Sequence, residues 1–203
     1  MNLPTVQECE SLFQQYHVPK NILGHCQTVS LLATRIAERL KAKGIKINIE
    51  LVRIGALMHD WMKAATLEQL GTNKYFKYTP SKEEIASWKQ LRTKFNGKHE
   101  CEIAHELLKG THPELAQFIL SEGLLTRKMV KQRVWEEKVV HYADWRVLGT
   151  EIIPLDERMA DFLVRYNQKI VAGGHELWQK KKQMEQQAER EICEALNCTP
   201  EEL

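Results

Sequence analysis

The order of apolar and polar residues is helical along almost the whole chain. Ile22, His25, Val29, Leu32 and Ile36 recur at spacings of three and four, the repeat that lays side chains along one face of an α-helix. Alternating runs rich in β-branched residues are scarce, and no Asn-Gly-type turn joins two of them. An all-α fold is expected, without internal repeats or low-complexity linkers. Thr5 suits the start of a short helix ending near Tyr16. Pro19 suits the first turn of a long helix to about Lys43, closed by Gly44. Asn48 caps a third helix predicted to reach about Lys63, and Ser81 with Glu84 makes a capping box before a helix to about Phe95. More helices are predicted from Lys98 to Lys109, from Pro113 to near Gly123, from about Lys128 to Leu148, and from Pro154 to about Val171. Gly173-Gly174 then breaks the chain before a last, charged helix. The least regular stretch, 66–80, holds Tyr75, Phe76 and Tyr78, and a loop there is expected to shape one side of a pocket.

This pattern divides into an N-terminal helix over 1–18, a main helical domain over 19–172, and a charged helix over 173–203 that packs on the domain or extends from it. The length of 203 residues suits one domain, and 43% hydrophobic residues suffice for a core. A net charge of +2 gives no strong signal for nucleic acid or a membrane surface. The 5 cysteines are odd in number and lack CxxC spacing, which argues against a disulfide framework or a thiolate zinc site. The start MNLPTVQECESLF lacks the basic-then-apolar order of a signal peptide, and no apolar run approaches the ~18–20 residues of a membrane span. A cytoplasmic protein is expected.

Four polar residues do not fit a plain core. His25 and Asp144 lie on apolar faces of two predicted helices, and His59-Asp60 ends a third rich in Leu51, Ile54, Leu57 and Met58. An ionised carboxylate in such surroundings is costly unless a cation or donor meets it. Two imidazoles and two carboxylates form a nitrogen and oxygen ligand set that suits Mn, Fe, Co, Ni, Mg or Zn without choosing among them. Adjacent helical residues diverge by about 100°, so His59 and Asp60 would share one ion only if it sat over the helix edge.

The segments GHCQTVSLLATRIAERL, ELVRIGALMHDWMK and VVHYADWRVL resemble, in that order, the HD-domain superfamily of metal-dependent phosphohydrolases. The resemblance spans residues 20–170. It implies a compact multi-helix bundle with one divalent metal held by His25, His59, Asp60 and Asp144. It also implies a small phosphorylated substrate, most plausibly a nucleotide, cleaved as a phosphomonoester or phosphodiester by metal-activated water. His99 resembles the first of the extra histidines that bind a second ion in many members, and otherwise it would contact phosphate. The second such histidine is missing, since Ser121 and Glu122 stand where it is expected. That favours one ion over two. Lys63 and Arg146 are candidates for phosphate binding or catalysis beside Asp60, with Arg146 alternatively pairing with a carboxylate. A nucleotide-sensing module without turnover and a diiron oxygenase are the competing functions, and a homodimer through the last helix is an expected partner arrangement.

Each residue also has a plainer reading. His25 would be a core histidine on a backbone carbonyl, Asp144 half of a buried salt bridge, and Lys63 a solvated lysine at a helix end. His141 would be either a partner behind the ligands or a surface histidine. The tryptophans read as core, and Lys180-Lys181-Lys182 as a solvated face.

Overall fold

In the computed structural model, residues 2–67, 78–125, 134–173 and 175–203 are described. The expected loop at 66–80 and the expected start of a helix near Lys128 fall largely outside them. Local capping chemistry starts the early helices. Helix α1 (Val6–Gln15) opens with a capping box in which Thr5 accepts from the Glu8 N–H and Glu8 accepts from the Thr5 N–H. The long α2 (Lys20–Ala42) follows Pro19 and ends before Gly44, whose φ of 84° needs a residue without a Cβ. Asn48 caps α3 (Ile49–Met58) by accepting from the Leu51 N–H. Ser81 and Glu84 box the start of α4 (Lys82–Lys94). Next come α5 (Glu100–Leu108), α6 (Pro113–Leu125) and α7 (Trp135–Arg146). The chain closes with α8 (Leu155–Gly173), α9 (His175–Leu196) and a 3₁₀ turn at Pro200–Glu202. Among the described residues the fold is all-α apart from one short ribbon, and no helix is long and apolar enough to cross a membrane.

Two apolar clusters meet along α2. One gathers Leu32, Ile36 and Leu40 of α2 with Val52, Val140 and Ile192. The other gathers Ile22 and Cys26 with Met58, Trp61, Ile103 and Ile119. His25 lies at the seam between them, next to Cys26 and one turn before Val29. The charged helix α9 docks rather than projecting: Trp178, Ala188, Ile192 and Leu196 are buried. The Trp178 ring stacks on Phe162 at 5.3 Å and 3°. Lys181 is less solvated than its neighbours suggest, because its ammonium sits 4.5 Å over the Trp145 ring.

Two differences from the predicted elements shape the site. First, α3 stops at Met58 and does not reach Lys63. Trp61, Met62, Ala64 and Ala65 are all buried, and one face of a continuing surface helix cannot bury four of five consecutive positions. The chain instead tightens into i→i+3 bonds, Lys63 N–H to Asp60 O at 2.8 Å and Ala65 N–H to Met62 O at 2.9 Å. Second, α7 gives way at Val147 to an antiparallel ribbon, β1 (Val147–Leu148) and β2 (Glu151–Ile152), paired Val147 with Ile152 and Leu148 with Glu151. Gly149, at φ 64°, supplies the positive φ that a two-residue hairpin turn requires.

Close packing of α3 on α6 depends on Gly55. A Cβ there would lie 2.4 Å from Phe118 Cε1, so any side chain must displace the Phe118 ring or push the helices apart. Gly55→Val is expected to destabilise the protein by about 1–3 kcal/mol through overpacking. Because Gly55 is one turn before His59, the same variant should also weaken cation binding. Urea denaturation and a metal titration check the two effects separately.

Candidate metal centre

His25 reaches the centre from α2, and both of its ring nitrogens meet oxygen. Nδ1 is 3.2 Å from the carbonyl of Gly149 in the ribbon turn, and Nε2 is 2.9 Å from Asp144 Oδ1 on α7. A carbonyl only accepts, so Nδ1 is the donor and Nε2 faces the carboxylate. His59 is set in the same way: its Nδ1 donates to the Ala56 carbonyl at 2.7 Å. That contact occupies the last turn of α3 and directs Nε2 inward. Backbone carbonyls thus fix the ring orientation of both histidines, as second partners do in metal sites.

His59 Nε2 is buried without a hydrogen-bond partner. It lies 3.6 Å from Asp144 Oδ1 and 3.9 Å from Asp60 Oδ2. An orphaned buried nitrogen is unfavourable by itself. One ligand atom from each of His25, His59 and Asp144 lies within 4.8 Å of the other two. Bonds of about 2.1 Å to one ion place neighbouring ligand atoms about 3 Å apart, so small shifts of these side chains would suit a cation. Among the described residues, these three form the group that could hold a metal. Asp60 stands at its edge, with one oxygen toward His59 and the other accepting from Lys63 Nζ at 3.3 Å. Because His59 and Asp60 lie in the turn after α3, neither has to reach over a helix edge.

Charge follows this geometry. Burial works against the Asp144 carboxylate, yet the hydrogen bond with His25 and the nearby His59 imidazole hold its pKa well below the usual range. Burial likewise opposes a charged His59, yet Cys26, Asp60 and Asp144 hold its pKa well above that of a free imidazole. Without a cation, a proton on His59 takes part of its place. The pair therefore stabilises the metal-free fold at intermediate pH. It loses the Asp144 contribution as pH falls through the depressed carboxyl pKa, and the His59 contribution as pH rises through the elevated imidazole pKa. A cation must displace the His59 proton, so binding is expected to release protons near neutral pH and to weaken on acidification. Calorimetric titration in buffers of differing ionisation enthalpy measures the release; none at neutral pH would contradict it.

Lys63 stands beside this group, in the 3₁₀ turn Lys63–Ala65. Its Nζ contacts Asp60 at 3.3 Å and Glu100 Oε1 at 2.6 Å. Burial would lower its pKa, but the two carboxylates raise it above the usual lysine range, so it stays a cation. Glu100 was not singled out by its sequence, where it reads as an ordinary acid in the first turn of a helix. Its side chain is 7% exposed, and it also accepts from Thr66 Oγ1 at 2.9 Å. His99 caps α5 beside it, with Nε2 3.4 Å from Glu100 Oε1 and Nδ1 3.1 Å from Cys101 Sγ. His99 therefore lies with the Lys63–Glu100 network and not within the ligand group. On α6, Ser121 Oγ accepts from Gln117.

Arg146 is not brought to the site. It turns the opposite way from Asp144, donating to the Ile153 carbonyl at 2.6 Å, the Tyr142 hydroxyl at 2.5 Å and the Pro200 carbonyl at 3.2 Å. Its guanidinium ties α7 to the C-terminal turn and is not available to phosphate there. His141 also faces the other way. It is buried and its Nδ1 meets Glu185 of α9 at 2.9 Å, so it is neither a surface histidine nor a partner behind the ligands.

The HD-domain family model matches residues 22–196, from the turn before His25 to the end of α9. The chain belongs to the HD-domain family. HD domains bind divalent metals, and the group formed by His25, His59 and Asp144 suits one. The HD-domain match takes in α9. A protein of Methanocaldococcus jannaschii described as uncharacterized is 40% identical over 47 residues, 23% of this chain and 28% of that protein. The HD chain thus covers under a third of that relative's length. No solved structure matches the chain.

Proposed function

We propose that this HD-domain protein is a metal-dependent phosphohydrolase acting on a small phosphorylated substrate, with a nucleotide as the substrate class to test first. The observation that carries the proposal is the buried, unpartnered Nε2 of His59, directed at the same space as His25 Nε2 and Asp144 Oδ1. His25, His59 and Asp144 would hold the ion, with Asp60 joining through the oxygen that faces His59. A divalent cation there would supply Lewis acidity, lowering the pKa of water and offsetting phosphoryl charge.

The chain's own groups divide the remaining work. Asp60 accepts from Lys63 through one oxygen, which leaves the other, facing His59, free to join the ion. Lys63 supplies a permanent positive charge next to the ligands, as a lysine ammonium does for phosphate. Glu100, itself accepting from Thr66, holds that ammonium in place. A lysine kept charged in this way is an electrostatic group and not a proton donor near neutral pH.

The test is hydrolysis of a panel of nucleoside monophosphates, cyclic nucleotides and simple phosphoesters with Mn, Co, Ni or Mg. Turnover is expected with at least one metal and is expected to vanish in Asp60→Ala. Activity that survives Asp60→Ala, or an inert protein across all metals, would sink the proposal. Tight nucleotide binding without turnover would point to a sensing module.

A further inference from the structure

Helix α9 ends in a Schellman turn. Asn197 takes a left-handed φ of 52°. Its N–H donates to Glu194 O at 3.2 Å, and the next N–H, of Cys198, reaches back to Cys193 O at 3.1 Å. In this turn the residue two past the helix end and the one three before its cap bring their side chains together, commonly as an apolar pair. Both positions are cysteine here. A disulfide needs Cα atoms about 4.4–6.8 Å apart, and the direct backbone bond holds the two residues at that scale. The Cys198 thiol is within hydrogen-bonding reach of Cys193. Both side chains are partly exposed and line one surface cavity of about 320 Å³. Cys9, Cys26 and Cys101 are buried in the core.

We propose that Cys193 and Cys198 form a redox-active dithiol, which a small-molecule disulfide of the glutathione class oxidises to an intramolecular disulfide. The Cys198 sulfur attacks one sulfur of the reagent, whose S–S bond breaks and releases one thiol. The Cys193 sulfur then attacks the mixed disulfide at Cys198 and releases the second thiol. The protein loses two electrons and two protons, and both end on the two released thiols. This order suits the site, because burial and the facing Cys198 thiol push Cys193 up to about 11, which makes it the poorer first nucleophile. The product would pin the turn whose Pro200 and Glu202 carbonyls accept from Arg146 and Arg39. The inference is independent of the proposed hydrolase activity.

The full chain, first reduced, is equilibrated in glutathione buffers of increasing oxidised fraction, quenched with N-ethylmaleimide and mapped by peptide mass spectrometry. A Cys193–Cys198 cross-link is expected in most molecules at the oxidising end, reversed by dithiothreitol, with Cys9, Cys26 and Cys101 still reduced. Cys193→Ser is expected to arrest the reaction as a glutathione adduct on Cys198. The proposal is overturned if both thiols of the natural chain stay free at the oxidising end, if a stable adduct persists there without the cross-link, or if either cysteine pairs elsewhere.

Discussion

Replacing Asp144 by alanine is expected to abolish retention of a divalent cation, and hydrolysis with it. Asp144 Oδ1 is the atom that both histidines share, 2.9 Å from His25 Nε2 and 3.6 Å from His59 Nε2. Without it, two partly buried imidazoles face each other with ring centroids 5.4 Å apart, and only Asp60 at the edge of the group is left to offset an ion's charge. Loss of a partner behind a ligand commonly costs about 10–100-fold in metal affinity, so loss of this direct contact should exceed about 100-fold. Asp144→Asn keeps the shape but not the charge, and it should also bind weakly. Elemental analysis after dialysis, together with isothermal titration, measures the loss. An Asp144→Ala protein that keeps its cation would show that the ion sits elsewhere.

The second large effect is expected far from the centre. Glu185 is 0% exposed and its carboxylate meets His141 Nδ1 at 2.9 Å. It joins α9 to the helix that carries Asp144. Removing one member of this buried hydrogen bond leaves the other unsatisfied, at a cost of about 1–3 kcal/mol. Glu185→Ala should lower stability by that amount in urea denaturation and expose α9 to proteolysis. Glu185→Gln keeps an acceptor oxygen for His141 and should recover most of the loss. If the alanine variant cost under about 1 kcal/mol, within the range of an ordinary hydrogen bond, the pair would not be what anchors α9.

Features set by local chemistry were legible in the sequence. Thr5, Asn48 and the Ser81–Glu84 pair mark helix starts because their hydrogen bonds are made within one turn. His25 and Asp144 stood out because polar groups on apolar faces need a reason, and the structure brings them into contact. The end of α3 was hidden, since burial of Trp61 and Met62 against other helices decides it. The ribbon at Val147–Ile152 has strands of two residues, too short for alternation to register. Arg146 and His141 looked available because part of what occupies them lies on or beyond α9, Pro200 54 residues from Arg146 and Glu185 44 residues from His141. Glu100 was indistinguishable from any acid opening a helix until Lys63 and Thr66 converged on it.

The contact between His25 and Asp144 joins residues 119 apart in the chain. Nothing in the local structure of α2 or α7 makes that contact, so it exists only once the bundle has closed around both. An ion held there would be among the last components to join during assembly, and it could not guide the earlier steps. Its stabilising effect would then appear chiefly as slower unfolding, because interactions formed after the transition state retard escape from the native state without speeding entry. The centre would act as a clasp on a finished fold, and the helices must find their places without it.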